Sequence, residues 1–225
     1  HIDLAYAKSR EIRVANVSDY STEAVAEKTI GALLLEANDF IAANKDVRDG
    51  HWNYQGFAGA ELKGKILLTV GDGRSARRIS ELAKAFGMEV INANSGTSKT
   101  ELNQHIAKAN FVTINCPLNE RTHHLIGREQ FDVMSDVILV NYARGGIVDE
   151  TALLAALDSG KVAFAALDVF EKEPPEKSNP LLNHPKVFVT PHCAWNTRES
   201  IVNLTDRCIE NIEKFLKGQL DDFIV

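Results

Sequence analysis

Cysteine is scarce in this sequence, and features of a secreted, metal-binding or membrane protein are missing. The 225 residues include only three cysteines, Cys116, Cys193 and Cys208, which lie far apart without metal-type spacing. We interpret them as reduced thiols of a cytosolic (cytoplasmic) protein, and we expect no metal site. No signal peptide is visible and no apolar run is long enough to span a bilayer, so we expect neither secretion nor a membrane partner.

Excess positive charge is also missing. The chain has 25 Lys and Arg against 31 Asp and Glu, a net charge of −6, which argues against general nucleic-acid binding. Hydrophobic residues make up 44% of the composition, enough for a sizeable core, and 225 residues suffice for one large domain or two small ones. The sequence starts at His1 rather than at Met, so we expect a fragment or a processed product.

A glycine-containing turn between a strand and a helix is the most informative stretch. The aliphatic run Ile66–Val70 predicts a buried parallel strand, and Gly71 allows the sharp turn that follows it. Gly73 lets the backbone approach a bulky group, and the next residues open a helix whose free N–H groups favour a phosphate. Ala76 takes the third small position, where the helix packs on the strand. This Gly-x-Gly-x-x-Ala pattern is typical of a dinucleotide-binding turn, although a structural glycine turn in another doubly wound protein would look the same.

The end of the second predicted strand leaves the choice of dinucleotide open. That strand ends at Asn94, where an acid would bind the ribose hydroxyls of NAD and repel the extra phosphate of NADP. An asparagine can bond a hydroxyl but carries no charge that excludes the phosphate. The next basic residue, Lys99, is five positions further on, so no strong NADP clamp is evident. We therefore predict NAD as the cofactor and keep NADP as an alternative.

Strands and helices alternate along the rest of the chain. We predict further strands at 111–115, 137–141, 162–167 and 187–190, and a final helix from about 196 to 217. This alternation predicts an α/β fold with a doubly wound parallel sheet covered on both faces. Before the glycine turn we expect a helix at 3–9, a strand at 12–17, a helix at 23–43 and an exposed connector at 45–59. The helix at 23–43 is apolar on more than one face, which suits either a core helix or a dimer contact.

Chemically reactive side chains follow three consecutive strands of the predicted sheet. Arg144 follows the fourth strand and His192 the sixth, and between them the fifth strand is followed by Asp168, Glu171 and Glu173. Ligands bind at the carboxyl ends of parallel strands in such folds. Arg can hold a carboxylate with two hydrogen bonds, and His transfers protons near neutral pH. The set therefore suits reduction of a 2-oxo acid, although each residue alone would more often be a surface turn, a loop charge or a helix cap.

Several stretches, taken in this order, resemble the D-isomer-specific 2-hydroxyacid dehydrogenase family. The most specific blocks are Asn141-Tyr-Ala-Arg-Gly-Gly-Ile-Val-Asp149, Ala165-Ala-Leu-Asp-Val-Phe170 with Glu173-Pro174, and Thr190-Pro-His192. Less specific similarities at Tyr20–Glu27 and His192–Trp195 point to the glycerate dehydrogenase, or hydroxypyruvate reductase, branch. The resemblance implies a Rossmann-type NAD(P)-binding domain that transfers a hydride between NAD(P)H and a small 2-oxo or 2-hydroxy acid. It also implies a homodimer built through that domain.

The same resemblance implies roles for residues of this sequence. Arg144 matches the arginine that orients the substrate and His192 the general acid/base. Glu173, rather than Glu171, matches the acid paired with that histidine, because the family's acid directly precedes proline. Asp168 matches a residue near the nicotinamide carboxamide. The remaining matches lie along the rest of the cofactor: Gly71, Gly73, Arg74, Ser75, Asn94, Cys116, Pro117, Thr122, Tyr142 and Ala143.

Compared with that family, the chain is expected to lack the first lobe and to begin just after its substrate-binding glycine loop. We divide the chain into a substrate-lobe remnant with an interdomain or dimer helix at 1–58, a dinucleotide-binding domain at 59–195 and a returning C-terminal helix at 196–225. Asp72 and Ser75 replace apolar residues of the glycine turn, and Lys28 stands where the glycerate branch often has His. We expect weaker cofactor binding than in a standard member.

Other interpretations stay open. The chain would be a dinucleotide-sensing binding module if it dimerised with nucleotide but did not turn over substrate, because related corepressors keep this fold and act through protein partners. It would be an inactive fragment if the native gene product were larger and only that product were active. Trp195 fits either a narrowed substrate pocket or core packing.

Overall fold

The computed structural model describes residues 2–219, 223 and 224, and six of its segments form one parallel sheet. These strands are β1 (Ile66–Val70), β2 (Glu89–Ala93), β3 (Phe111–Ile114), β4 (Val137–Asn141), β5 (Val162–Leu167) and β6 (Val187–Val189). The helices of the described residues are α1 (Leu4–Ser9), α2 (Thr22–Ala37), α3 (Phe40–Arg48), α4 (Arg74–Ala85), α5 (Lys99–Ile106), α6 (Arg128–Asp132), α7 (Glu150–Asp158) and α8 (Arg198–Leu216).

Helices cover both faces of the sheet. Leu67 and Leu68 are neighbours in β1 and fully buried, but they belong to different core clusters because successive strand residues point to opposite faces. The cluster around Leu67 includes Leu33 of α2 and Ile79 of α4, and the cluster around Leu68 includes residues of α5 and α7. The predicted doubly wound α/β fold is therefore confirmed, and the apolar stripe of α2 is part of the core.

The strand order places a crevice beside the glycine turn. The sheet runs β2-β1-β3-β4-β5-β6, so the chain crosses from β2 back over β1 before it continues in the other direction. The carboxyl ends of β1 and β3 flank this reversal, which is where doubly wound folds bind their ligands. Gly71 lies there with φ of +124°, and a Cβ on it would come within 2.7 Å of the Asn115 backbone. Only glycine allows the turn to pass so close to β3.

Two predictions before the sheet are wrong. The stretch 12–17 forms no strand, and its Val14 carbonyl instead accepts a hydrogen bond from the Ile224 N–H at 2.7 Å. The predicted helix at 23–43 is interrupted at Asp39, which has a left-handed φ of +53°. Aspartate tolerates this conformation better than most residues do. The chain turns at Asp39 and begins a second helix, α3, which ends at Arg48 and so includes the first residues of the predicted connector.

The backbone contacts divide the described residues into two compact units. One is Val25–Ala194, which contains the sheet, and the other consists of the residues before Val25 and after Ala194. In the second unit the rings of Tyr20 and Trp195 meet edge to face with centroids 6.2 Å apart, so Trp195 has a packing role there. Among the described residues no helix is both long and apolar enough to cross a bilayer. The boundaries at residues 58 and 195 stay predictions.

Candidate functional site

A histidine and a glutamate meet at the carboxyl edge of the sheet, on the loops after β6 and β5. Nδ1 of His192 lies 2.6 Å from Oε2 of Glu173, and Oε1 of that carboxylate accepts the N–H of Phe170 at 3.1 Å. The glutamate is therefore held by its own loop while it orients the imidazole. The side chains of the pair are 42% and 36% exposed. Glu171, the other candidate, lies instead on His124, with 3.1 Å between Oε1 and Nε2.

The buried carboxylate of Asp168 organises the turn that carries His192. Its Oδ1 accepts hydrogen bonds from the Thr190 hydroxyl at 2.5 Å and the Cys193 N–H at 2.8 Å, and its Oδ2 accepts the Ala194 N–H at 2.7 Å. His192 lies within this turn at a left-handed φ of +49°. Asp168 is 2% exposed, so its charge is stabilised by these donors rather than by water. Its contact with a nicotinamide stays a prediction.

The loops after β4 and β5 are packed tightly against each other. A Cβ on Gly145 would lie 1.9 Å from the carbonyl carbon of Phe170, so this position requires glycine. On the same loop, burial raises the pKa of Tyr142 far above its usual value, and the neighbouring Asp168 and Cys193 raise it further. Burial therefore favours the protonated form of the Tyr142 hydroxyl, which can act as a hydrogen-bond donor.

The backbone before Arg144 is shaped by a buried asparagine. The Nδ2 group of Asn141 donates to the Arg144 carbonyl at 3.0 Å, and its Oδ1 accepts the Ala143 N–H at 3.2 Å. The exposed guanidinium of Arg144 donates from Nη1 to the Ala143 carbonyl at 2.7 Å. Arg144 thus lies on the loop after β4, next to the strand that leads to Glu173, and hydrogen-bonds its own loop rather than that carboxylate.

The glycine turn fits the pyrophosphate of a dinucleotide. Gly73 is the N-cap of α4, so no N-cap side chain occupies the first N–H groups of the helix. A Cβ at this position would have no other atom within 4 Å. Arg74 and Ser75 open the helix, and Ala76 is fully buried against the core. Helix N–H groups and open space at a helix N-terminus are what a phosphate needs. The backbone at the start of α4 therefore offers both the donors and the room for this part of the ligand.

The two remaining segments that we predicted to line the cofactor are held by hydrogen bonds of their own side chains. Oδ1 of Asn94 accepts the Gly96 N–H at 2.8 Å, so the oxygen expected to meet the ribose already closes a turn. The Thr122 hydroxyl donates to the Pro117 carbonyl at 2.6 Å and closes the loop after β3. Burial raises the pKa of the Cys116 thiol at the start of that loop, which keeps it protonated.

Sequence reasoning missed two long-range contacts around this edge. The ammonium of Lys28 in α2 donates to the carbonyl of Cys193, although the residues are 165 positions apart. The ring of His124 stacks on His123 with centroids 4.0 Å apart while it meets Glu171. Neither contact has a local sequence signal, because both depend on how distant loops meet.

Within the described residues no group of His, Cys, Asp or Glu is arranged to hold a metal ion.

The fold and the site define a dinucleotide-binding domain with a histidine–carboxylate pair at the edge of its sheet. Residues 30–194 match the family described as "D-isomer specific 2-hydroxyacid dehydrogenase, NAD binding domain". The chain belongs to this family, and the matched residues are its NAD-binding domain. The family and NAD predicted from the sequence are both confirmed.

Named relatives agree with this assignment. A D-3-phosphoglycerate dehydrogenase of Methanocaldococcus jannaschii is 39% identical over all of this chain, which spans 45% of that protein. A hydroxypyruvate reductase of Thermotoga maritima is 36% identical over 96% of the chain and 74% of the relative. A D-lactate dehydrogenase of Aquifex aeolicus, solved with NAD and lactic acid, superposes with a TM-score of 0.90 at 28% identity, covering all of this chain and 77% of that one. The chain thus spans less than half of the phosphoglycerate dehydrogenase.

Proposed function

We propose that the protein reduces small 2-oxo acids such as hydroxypyruvate or glyoxylate to D-2-hydroxy acids with NADH. The observation that carries this proposal is the 2.6 Å contact between His192 and Glu173 at the ligand-binding edge of an NAD-binding domain. A histidine oriented by a carboxylate is the arrangement that a general acid needs. The hydroxypyruvate reductase among the relatives supports the choice of substrate class.

Residues of the glycine turn and the neighbouring loops would hold the cofactor. The N–H groups at the start of α4, with Arg74 and Ser75, would bind its pyrophosphate, and the loops at Thr122 and Tyr142 would flank the adenosine and nicotinamide. NADH, when bound, supplies the hydride that reduces the C2 carbon of the 2-oxo acid. Asp72 is exposed in the same turn, and its negative charge opposes a phosphate, so we expect modest affinity.

The protein's own side chains supply the remaining steps. Arg144 binds the substrate carboxylate, for which a guanidinium offers two parallel N–H donors. His192 donates from Nε2 the proton that the carbonyl oxygen takes up as C2 is reduced, because Nδ1 is engaged by Glu173. Glu173 keeps the ring in one orientation and stabilises the proton on Nδ1. In the reverse direction the same histidine accepts the proton from the hydroxyl group.

Loss of NADH absorbance with hydroxypyruvate or glyoxylate tests the proposal. Both this chain and the native gene product are assayed. We expect His192→Gln and Glu173→Gln to lower kcat by about 100-fold or more, since general acid catalysis contributes about 100- to 10,000-fold. His184→Gln is the matched control, because its ring also lies on a carboxylate, 3.4 Å from Asp158. Equal rates in all variants would refute the catalytic assignment. NADH binding that drives dimerisation without turnover would favour the sensing module.

We further infer a homodimer built through the sheet-containing unit. Large apolar side chains are exposed on α3 and the segment after it, including Phe40 at 58%, Trp52 at 90% and Tyr54 at 87%. Large exposed apolar side chains are expensive to leave in water, and a second copy of the chain would cover them. Light scattering should give twice the chain mass and a monomer for Trp52→Ser with Tyr54→Ser. Phe86→Ser, also exposed, should leave the dimer intact, and a monomeric wild type would refute the inference.

We place the protein in the cytoplasm. Cys116, Cys193 and Cys208 are all free thiols, and oxidising compartments would expose such thiols to modification and pairing. Fractionation of the source cells tests this placement. Recovery of the protein mainly from the secreted or membrane fraction would contradict it.

A further inference from the structure

The peptide bond between Cys193 and Ala194 is held at both ends by opposite charges. Its N–H belongs to Ala194 and donates to Oδ2 of Asp168 at 2.7 Å. Its carbonyl belongs to Cys193 and accepts a hydrogen bond from the ammonium of Lys28. Both bonds are charge-assisted, so each is stronger than a bond between neutral groups. Together they prevent this peptide plane from rotating.

This clamped peptide begins one residue after His192. The histidine has a left-handed φ of +49°, a conformation that is unfavourable for a residue with a Cβ. Such a backbone persists only where the surroundings hold it. Asp168 holds the turn from the sheet side through Thr190, Cys193 and Ala194, and Lys28 holds it from α2. The imidazole can stay 2.6 Å from Glu173 only while the turn keeps this shape.

Lys28 can hold the turn in place because its own helix, α2, is packed into the core. Its neighbours Ala26, Thr29 and Ile30 are buried in the core, so the base of the lysine side chain cannot shift without moving the helix. Lys28 itself is only half-buried and lies 165 residues away from Cys193. A long cationic side chain that is fixed at its base and bonded at its tip gives a defined distance between helix and turn.

We propose that Lys28 is a positioning residue, whose ammonium fixes the Cys193–Ala194 peptide and thereby holds the His192 ring against Glu173. The proposal deepens the proposed reductase function and rests on it where the rate is concerned. Lys28 itself does not transfer a proton to the substrate. Its effect is on the geometry of the general acid, and the orientation of the His192 ring can be observed without any substrate or cofactor.

The first experiment records long-range ¹H–¹⁵N spectra of the histidine rings in the full chain. His192→Gln assigns the signals, and the test variant is Lys28→Met, which keeps the length of the side chain but removes its charge and donors. In Lys28→Met we expect the His192 ring signals to shift away from their wild-type positions, towards the average of the two imidazole tautomers. Lys28→Arg should restore the wild-type signals because it retains a cationic donor. Lys84→Met, which removes a charge from an exposed position of α4, should leave them unchanged.

The second experiment measures NADH-dependent reduction of hydroxypyruvate. Lys28→Met should lower kcat about tenfold while the Kd for NADH changes less than about twofold, since misplacing a catalytic group mainly affects the chemical step. If Lys28→Met fails to fold by circular dichroism, Lys28→Gln keeps a donor without the charge and should give an intermediate shift. A folded Lys28→Met or Lys28→Gln variant with wild-type His192 signals would overturn the proposal. Absence of turnover in the wild type refutes the proposed function alone, because the ring signals still test Lys28.

Discussion

Replacement of Asp168 by Asn tests whether this carboxylate shapes the turn at His192. The two side chains have nearly the same size, but an amide presents one oxygen where the carboxylate presents two. If the amide oxygen of the new asparagine takes the place of Oδ1, the hydrogen bonds from Thr190 and Cys193 are kept. The amide NH₂ group then lies against the Ala194 N–H, and two donors face each other. The opposite orientation would lose more, because NH₂ would then face the Cys193 N–H.

The expected loss follows from these contacts. A hydrogen bond to a charged acceptor contributes about 1.5–3 kcal/mol, and the Asn variant loses at least one and gains a repulsive contact. Neutralising a carboxylate that is 2% exposed recovers part of its desolvation cost. We therefore expect the free energy of unfolding to fall by about 2 kcal/mol. For a chain of this length the same loss lowers Tm by about 4–8 °C.

Urea unfolding followed by circular dichroism measures this change. Asp136→Asn is the matched control, because Asp136 is exposed with a φ of +56°, a conformation that asparagine accepts as well as aspartate. It should alter the free energy of unfolding by less than about 0.5 kcal/mol. If Asp168→Asn behaved like this control, the three hydrogen bonds would not hold the turn, and Asp168 would have no part in shaping the backbone at His192.

Three further predictions concern packing, pH dependence and cofactor choice. Gly145→Ala should cost more than about 3 kcal/mol of stability because its Cβ would lie 1.9 Å from the Phe170 carbonyl carbon, whereas Gly31→Ala, with nothing within 4 Å, should stabilise α2 by about 0.5–1 kcal/mol. Burial raises the pKa of the Glu36 carboxyl group from 4.5 to about 7. Its ionisation therefore lowers the free energy of unfolding as the pH rises from about 4.5 to about 7. After discounting for its half exposure, Glu36→Gln should stabilise by about 1 kcal/mol at pH 8 and leave stability at pH 4 unchanged in urea titrations. Asn94→Asp keeps the oxygen that accepts the N–H of the turn and adds a charge, so the ratio of NADPH to NADH Kd should rise about tenfold in fluorescence titrations.

Each of these predictions has a contrary result. Equal stability of the two alanine variants would mean that the loops after β4 and β5 separate easily. A Glu36→Gln effect that is the same at both pH values would show that its carboxyl group titrates normally in the folded protein. An unchanged cofactor ratio in Asn94→Asp would mean that the 2′-position of the ribose lies elsewhere.

The sequence alone determined the class of fold and the order of its functional segments. Aliphatic runs such as Ile66–Val70 are hydrophobic at every position because both faces of the strand are buried, and this pattern needs no tertiary information. The same holds for the start of α5, where Ser98 and Glu101 form a capping box by hydrogen-bonding each other's backbone N–H groups within one helical turn. Local sequence also misled twice. The stretch 12–17 forms no strand, and the predicted helix at 23–43 breaks at Asp39, a single left-handed residue inside an apolar periodicity.

Only the tertiary structure decided which side chains meet. Glu171 and Glu173 follow the same strand end, so their spacing does not distinguish them, and only the family resemblance favoured Glu173. In the structure the path of the loop places Glu173 on His192 and Glu171 on His124. The clamp on the Cys193–Ala194 peptide joins a helix near the start of the chain to a turn near its end, so no local pattern could reveal it. Contacts between distant segments depend on how helices and loops pack on the sheet, and that packing is a property of the whole core rather than of any one stretch of sequence.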